Sequence, residues 1–272
     1  MSSTSRQVAV ITGAASGIGK ALAEQLAAQG CSLALADISE EPLNQLAELL
    51  RKQGNKVTTA RLDVADRAAV EDFAIQVKAE HGRVDLVFNN AGVALSQTVE
   101  NTDYSDFEWL MNINFWGVVY GTKAFLPLMR EQRSGHIINV SSIFGIIGVP
   151  TQAAYNASKF AVKGFTEALR QELHGSGIEA SCVHPGGIKT NIVRNARFYV
   201  DTKGVADSQA AIANFDKIAS TDAATAARVI LQGVEGNKGR ILIGNDARLL
   251  SLLQRLFPTG YQRLLRRFLN KA

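Results

Sequence analysis

The stretch "VAVITGAASGIGKALAEQLAAQG", residues 8–30, decides the fold. The run "QVAVI" (7–11) is apolar almost throughout, as strands buried on both faces are. Glycines then fall at 13, 17 and 19, giving T-G-x-x-x-G-x-G, and "GKALAEQLAAQG" (19–30) follows as an amphipathic helical pattern ended by glycine. Glycine permits a tight turn and lets backbone N–H groups approach a pyrophosphate, and the helix N-terminus adds a favourable dipole. Taken alone, the same turn can also be a glycine-rich connection without a ligand.

Outward from this unit the alternation continues. "CSLALAD" (31–37), "KVTTARLDV" (56–64), "VDLVFNN" (84–90), "GHIINVSS" (135–142), "IEASCVH" (178–184) and "GRILIG" (239–244) read as strands, with helical segments such as "AAVEDFAIQVKAEHG" (68–82) between them. Such alternation implies right-handed crossovers. It predicts a single α/β domain over 1–247, a doubly wound, Rossmann-type parallel sheet of about seven strands with helices on both faces. Ligands of such sheets sit beyond the carboxyl ends of the strands, where the glycine turn lies. Asp37 ends the second strand, where its carboxylate can accept hydrogen bonds from adenosine ribose hydroxyls and would repel a 2′-phosphate. NAD is therefore the predicted cofactor, rather than NADP.

The 272 residues, 46% apolar, can bury one large core, and with only 5 prolines nothing marks a linker. Cys31 and Cys182 lie in apolar runs without disulfide or metal spacing, which predicts buried free thiols in a reducing compartment. His81, His136, His174 and His184 have no metal-ligand spacing either, so no metal site is expected. "MSSTSRQ" carries no basic leader and no run of about 18 apolar residues occurs, so a soluble cytoplasmic protein is expected. The formal charge of +4 resides in residues 248–272, which hold six basic residues and no acid. The remainder has 23 basic against 25 acidic residues, which argues against nucleic-acid binding by the main domain.

In "YNASKFAVKGF" (155–165), Tyr155 and Lys159 stand four residues apart on a helical pattern, so phenol and ammonium emerge on one face. A solvated surface helix gives the same spacing by chance. The surrounding motifs decide between the two readings, because together they resemble the short-chain dehydrogenase/reductase family. "TGAASGIG" (12–19) is similar to that family's cofactor turn, with Gly13, Ser16, Gly17, Ile18 and Gly19; "LDV" (62–64) to its adenine contact, with Asp63 and Val64. "NNAG" (89–92) supplies Asn90, Ala91 and Gly92, and "HPGGIKT" (184–190) supplies Pro185, Gly186, Ile188 and Thr190 beside the nicotinamide. "NINFWG" (112–117) gives Asn114 and "INVSS" (138–142) gives the serine, Ser142 rather than Ser141 because it lies 13 residues before Tyr155. The resemblance spans residues 8 to about 245. It implies a catalytic set of Asn114, Ser142, Tyr155 and Lys159, with Tyr155 and Lys159 also touching cofactor, and a homo-oligomer, dimer or tetramer.

These residue types suit the oxidation of a secondary alcohol or the reduction of a ketone. Free tyrosine has a pKa of about 10, so removal of the alcohol proton at neutral pH needs the phenol made more acidic, which a nearby ammonium and the positive nicotinamide ring would do. Ser142 can hold the substrate oxygen. The resemblance assigns Asn114 to an ordered water in a proton relay with Lys159, and Lys159 to the nicotinamide ribose.

Phe144, Ile146, Ile147, Val149, Phe198 and Tyr199 suggest an apolar pocket with Gln152 as a polar handle, so substrate contacts are expected from Ser142, Phe144, Gln152 and Tyr155. Residues 187 to about 220, of mixed polarity and weak periodicity, are expected to form a mobile lid. Asp103, Asp106 and Glu108 read as the acidic start of a long helix running to about Arg130, and Trp109, Phe115 and Trp116 as packing residues. Alternatives to an alcohol dehydrogenase or ketone reductase are a 3-oxoacyl-thioester reductase, against which Asp37 and Ser16 count, and a non-catalytic dinucleotide sensor. The tail, 248–272, carries two apolar stripes at helical spacing broken by Pro258 and Gly260, with arginines between and beside them. Packing on the protein is the primary expectation, with peripheral membrane contact second.

Overall fold

The computed structural model describes residues 7–202 and 204–269. Val8–Thr12 (β1) leads through the glycine turn into Gly17–Ala28 (α1), followed by Ser32–Asp37 (β2), Glu40–Lys52 (α2), Val57–Arg61 (β3), Arg67–His81 (α3) and Leu86–Asn89 (β4). After the short strand Leu95–Ser96 (β5), one continuous helical stretch comprises Tyr104–Met111 (α4), a π-helical turn over Asn112–Trp116, and Gly117–Gln132 (α5). Gly135–Val140 (β6), Ala153–Glu172 (α6) and Ile178–Pro185 (β7) come next. Beyond them lie Ile188–Lys189 (β8), Arg197–Phe198 (β9), Ser208–Ile218 (α7), Thr221–Asp222 (β10), Ala223–Glu235 (α8) and Arg240–Ile243 (β11). Asn245–Leu256 (α9) and Tyr261–Leu269 (α10) follow the sheet.

Seven strands form one sheet in the order β11-β7-β6-β4-β1-β2-β3, every pairing parallel. From β1 the chain builds outward to β2 and β3, then returns to build the other way from β4. The switch point therefore lies between β1 and β4, where the glycine turn meets the segment after Asn89. The strands are apolar on successive residues because both faces are covered. Ile11, Leu35 and Phe88 pack toward one layer of helices, while Val10, Ala34 and Val87 pack toward the other. Phe88 and Leu35 are fully buried, each worth about 1.5–3 kcal/mol relative to exposure.

The predicted strand over 56–64 stops at Arg61. Leu62 N–H still donates to Asp37 O, but Asp66 then caps α3 through Ala69 N–H, which ends the extended run. Helix α3 ends as its glycine signal predicts, at Gly82 in the left-handed region with φ +75°. The helix expected from the acidic cluster begins at Tyr104 and passes Arg130 to Gln132.

The segment expected to be an irregular lid holds short ordered pieces. Strand β8 pairs with β10 and β9 pairs with β5, while α7 between them buries none of its residues. The C-terminal helices pack on the protein. Ala247 and Tyr261 are buried against Ile143, Ile146 and Ile147, and the Tyr261 hydroxyl accepts the Gly148 N–H at 2.9 Å.

Candidate active site

The turn after β1 is shaped by its glycines. Gly13 and Gly17 have φ of +66° and +53°, and a Cβ on Gly19 would stand 2.1 Å from the Gly13 carbonyl oxygen, so no larger residue fits. Ser16, the N-cap of α1, makes no side-chain cap, which leaves the helix's first N–H groups for an anion. Thr12 fastens the turn to the end of β4, because its Oγ1 accepts the N–H groups of Asn90 and Ala91 at 3.0 and 3.1 Å. Asn90 reciprocates through Nδ2, which donates to the carbonyls of Thr12 at 2.9 Å and Gly13 at 3.2 Å. The Asn90 side chain thus holds the turn in shape. Asp37 lies against the same turn, accepting from Ala15 N–H and Ser39 N–H at 2.9 Å each. Glycine-lined backbone, an uncapped helix N-terminus and a carboxylate at the neighbouring strand end fit a dinucleotide.

The other expected cofactor residues border this crevice. Val64 is buried and Asp63 exposed, its Oδ1 accepting Ala65 N–H; Thr190 lies opposite Gly17, whose Cβ would be 3.2 Å from Thr190 Cγ2. Pro185 ends β7, Gly186 N–H donates to Ile243 O at 2.9 Å, and Ile188 is buried in β8. No local motif indicates how this wall is held. Asp246 Oδ2 accepts the Gly187 N–H at 2.7 Å, and a Cβ on Gly186 would fall 2.2 Å from the same carboxylate. Asp246 is thus a positioning residue from α9, beyond the reach of any local motif.

Ser142, Tyr155, Lys159 and Asn114 converge beside the switch point from three elements. Ser142 follows β6; its hydroxyl stands beside the Tyr155 phenol and accepts Phe144 N–H at 3.1 Å. The neighbouring Ser141 instead donates to Lys159 O at 2.8 Å, so it points into α6. Lys159 Nζ donates to Val140 O at 3.1 Å and lies 5.6 Å from the centre of the Tyr155 ring. Asn114 sits inside the π-helical turn and is fully buried. Its amide is exchanged with the backbone of Val93, and Nδ2 also donates to Ser158 Oγ at 3.3 Å. A Cβ on Gly92 would meet Asn114 Oδ1 at 3.1 Å and Lys159 Nζ at 3.4 Å, so both groups border the space above that glycine.

Burial is the dominant influence on the Tyr155 phenol. It pushes Tyr155 up to about 12, and the Ser142 hydroxyl only partly offsets it. Burial likewise pulls Lys159 down to about 8. The ammonium faces a backbone carbonyl and the ring face rather than the phenolic oxygen, so desolvation outweighs Coulomb attraction. His184 is also buried, held down to about 4 by desolvation, with Nδ1 bonded to Ser142 O at 2.9 Å. It braces the backbone of Ser142, a role that its place in "HPGG" did not reveal.

Around this centre, Phe144 packs edge-on against Tyr155 at 6.1 Å, and Gln152 caps α6 while bridging through its backbone to Gln97. Ile146 and Ile147, expected in the substrate pocket, pack with Ala247 and Tyr261 beneath the C-terminal helices, in a cluster that Phe144 and Val149 border. Asn156 holds this segment: its Nδ2 donates to the carbonyls of Phe144 and Ile147 at 2.7 Å, and its Oδ1 accepts Val149 N–H. Tyr199, also expected to face substrate, donates its hydroxyl to Asp106 at 2.7 Å. Arg197 pairs with the same carboxylate and stacks on Trp109 at 3.7 Å. Asp106 thus anchors the first part of the 187–220 segment to α4, beyond the helix-dipole role expected of it.

Comparison with known proteins agrees with this geometry. The family profile described as short chain dehydrogenase matches residues 7–198. The oxidoreductase SadH of Mycobacterium tuberculosis is 45% identical over 268 residues, covering 97% of this chain and 95% of that protein. A 3-ketodihydrosphingosine reductase of Bacteroides thetaiotaomicron is 39% identical over 189 residues, 70% of this chain and 66% of its own. Among solved structures, a short chain dehydrogenase/reductase from Burkholderia phymatum in complex with NAD has a TM-score of 0.85 at 31% identity, covering 94% of this chain and 95% of that one. By the profile over residues 7–198, and by a relative and a solved structure that match nearly the whole length, the chain belongs to the short-chain dehydrogenase/reductase family of oxidoreductases.

Proposed function

We propose that the protein is an NAD-dependent oxidoreductase that interconverts a hydrophobic secondary alcohol and its ketone, with Tyr155 as the general acid/base. The observation that carries this reading is the gathering of Ser142, Tyr155 and Lys159 on the rim of the dinucleotide crevice, with Lys159 Nζ 5.6 Å from the centre of the Tyr155 ring. When bound, the oxidised dinucleotide supplies the hydride acceptor and a positive charge beside the phenol. Gly13, Ser16, Gly17, Ile18 and Gly19 would hold its pyrophosphate, Asp37 its adenosine ribose, Asp63 and Val64 its adenine. Asn90, Ala91, Gly92, Pro185, Gly186, Ile188 and Thr190 would border the nicotinamide half. Ser142 Oγ donates to the substrate oxygen and fixes it against Tyr155, which takes the hydroxyl proton in oxidation and returns it in reduction. Lys159, lowered only to about 8 and so still largely charged at neutral pH, favours the phenolate. Asn114 spends its side chain on Val93 and Ser158, so a relay water would be held by a backbone carbonyl that the wide π turn releases.

Phe144, with Val93, Leu95 and Ile192 in the apolar cluster around Tyr155, favours a hydrophobic substrate, and the 3-ketodihydrosphingosine reductase among the relatives supports that class. Exposed Trp116 and Phe160, on neighbouring helical elements that touch through Phe115 and Phe165, support a homo-oligomeric contact there. Helix α7, with no buried residue, is the part of the 187–220 segment free to act as a lid. We place the protein in the cytoplasm. A panel of alcohols and ketones of increasing chain length, followed by absorbance of the reduced nicotinamide, tests the reading: turnover with NAD(H) that improves with chain length is expected, and no turnover of any member with either dinucleotide would sink it.

A further inference from the structure

The C-terminal helices have two apolar faces, and packing on the domain uses one of them. Ala247, Leu250 and Leu253 of α9 face the Ile143–Ile147 cluster, as does Tyr261 of α10. On the other side Leu249, Leu252 and Leu256 lie at helical spacing and are 57%, 52% and 60% exposed, and Phe257 and Leu264 extend the same surface at 53% and 41%. Leaving five large apolar side chains together in water is costly, so a patch of this kind marks a contact. Its border is uniformly basic. Arg248 and Arg255, seven residues apart, flank the α9 stripe, Arg263 stands beside Leu264, and no ion pair among the described residues engages any of the three. The one carboxylate on α9, Asp246, is turned inward to Gly187.

We propose that this outer face of α9 and the start of α10 docks on the surface of an anionic lipid bilayer. An apolar stripe rimmed by arginines is the composition of interfacial helices, whose apolar side enters the headgroup boundary while the cations meet lipid phosphates. A second copy is the main competing occupant. An isologous contact would set the patch against itself and bring the arginine borders of both copies together without a counter-charge, whereas an anionic surface neutralises them. The rest of the chain carries 23 basic against 25 acidic residues, so attraction is confined to this face and fixes the orientation of the bound molecule. The proposal concerns binding alone and is independent of the substrate.

The full chain is sedimented with vesicles of phosphatidylcholine alone and of phosphatidylcholine containing about one third phosphatidylglycerol. The expected result is at least about tenfold stronger partition onto the anionic vesicles, weakened several-fold by raising salt to about 0.5 M. The exposed-face double variants Leu252→Glu/Leu256→Glu and Arg248→Glu/Arg255→Glu should each lose about tenfold or more of that partition. Their melting temperature, NAD affinity and oligomeric state should match the parent's. The salt dependence of the unaltered protein keeps the test decisive where a variant folds poorly. Failure of the unaltered chain to sediment with anionic vesicles, equal partition onto both compositions, or equal partition of parent and well-folded variants would overturn the proposal. So would a drop in oligomeric state of the variants with no vesicle binding by the parent, which would assign the face to a second copy.

Discussion

Asn114 and Val93 hold each other through two hydrogen bonds: Asn114 Oδ1 accepts the Val93 N–H at 2.8 Å, and Asn114 Nδ2 donates to the Val93 carbonyl at 2.9 Å. Only a carboxamide has both an acceptor and a donor in that geometry. The pair joins the π-helical turn to the chain just after Gly92, and so fixes the floor between the crevice and Ser142, Tyr155 and Lys159. Asn114→Asp keeps the acceptor but sets a carboxylate against the Val93 carbonyl. It should destabilise the fold by about 1–3 kcal/mol and cut turnover by at least tenfold. Urea unfolding combined with initial rates checks this, and unchanged values for both would refute the role.

Tyr155→Phe removes only the proton-carrying hydroxyl. Turnover should fall by about a thousandfold while NAD affinity, followed by fluorescence titration, stays within a few-fold. Near-parental turnover would remove Tyr155 from the mechanism.

Lys159 links activity to stability in opposite senses. Its folded-state pKa is lowered from 10.5 to about 8, so between those values the unfolded chain binds more protons. Stability contributed by this group is therefore depressed below about pH 8 and recovers as pH rises toward 10.5. Lys159→Met should abolish that rise and stabilise the protein at pH 7 by on the order of 1–2 kcal/mol, the loss of the donor to Val140 O offsetting part of the gain. Activity should fall at least a hundredfold. A variant less stable than the parent at pH 7 would show that the amine is better accommodated than its burial implies.

Two buried histidines predict acid lability. His136 and His184 are each lowered from 6.5 to about 4 by desolvation, so they fold neutral and charge on unfolding. Their stabilising contribution is complete above about pH 6.5 and disappears as pH falls toward 4. Chemical denaturation between those limits should reveal an uptake of about two protons attributable to this pair, reduced by about one in His136→Gln. A slope unaltered by that substitution would contradict the assignment.

Cofactor choice turns on Asp37. Its carboxylate already accepts from Ala15 and Ser39, so it cannot swing aside for a 2′-phosphate without losing both bonds. NAD(H) should bind more tightly than NADP(H), and Asp37→Ser should narrow the gap by at least tenfold at some cost to the turn. Tight NADPH binding by the parent would reverse the reading.

Much of this architecture was legible in sequence because its determinants are local. A strand covered on both faces must be apolar throughout, which is why "SLALAD" and "VAVIT" stood out, and a turn that cannot hold a Cβ must be glycine, as at Gly19. Helix geometry puts Tyr155 and Lys159 on a common face, but a solvated helix gives the same spacing, and the pair was legible only through the resemblance of the surrounding motifs. Their ionisation was not, because it depends on desolvation by residues from β6, β7 and α6 together. Asp246 and Tyr261 were invisible as contributors to the site for a related reason: each acts on a segment 59 or 113 residues earlier in the chain, and no local pattern encodes the partner. The helical spacing of the C-terminal apolar residues did announce two stripes, but not which would turn inward.

Those two long-range locks also set a timetable for the growing polypeptide. The strands β1 to β4 and the dinucleotide turn are synthesised in the first third of the chain and can collapse on one another early. The nicotinamide-side wall at Gly187 and the segment at Gly148 wait for partners made more than fifty residues later. A nascent chain would thus hold its glycine cradle well before its reaction chamber is sealed. Protease protection around residue 187 should arrive only after Asp246, and around residue 148 only after Tyr261, has left the ribosome, and earlier protection at both sites would show that the chamber closes without its last helices.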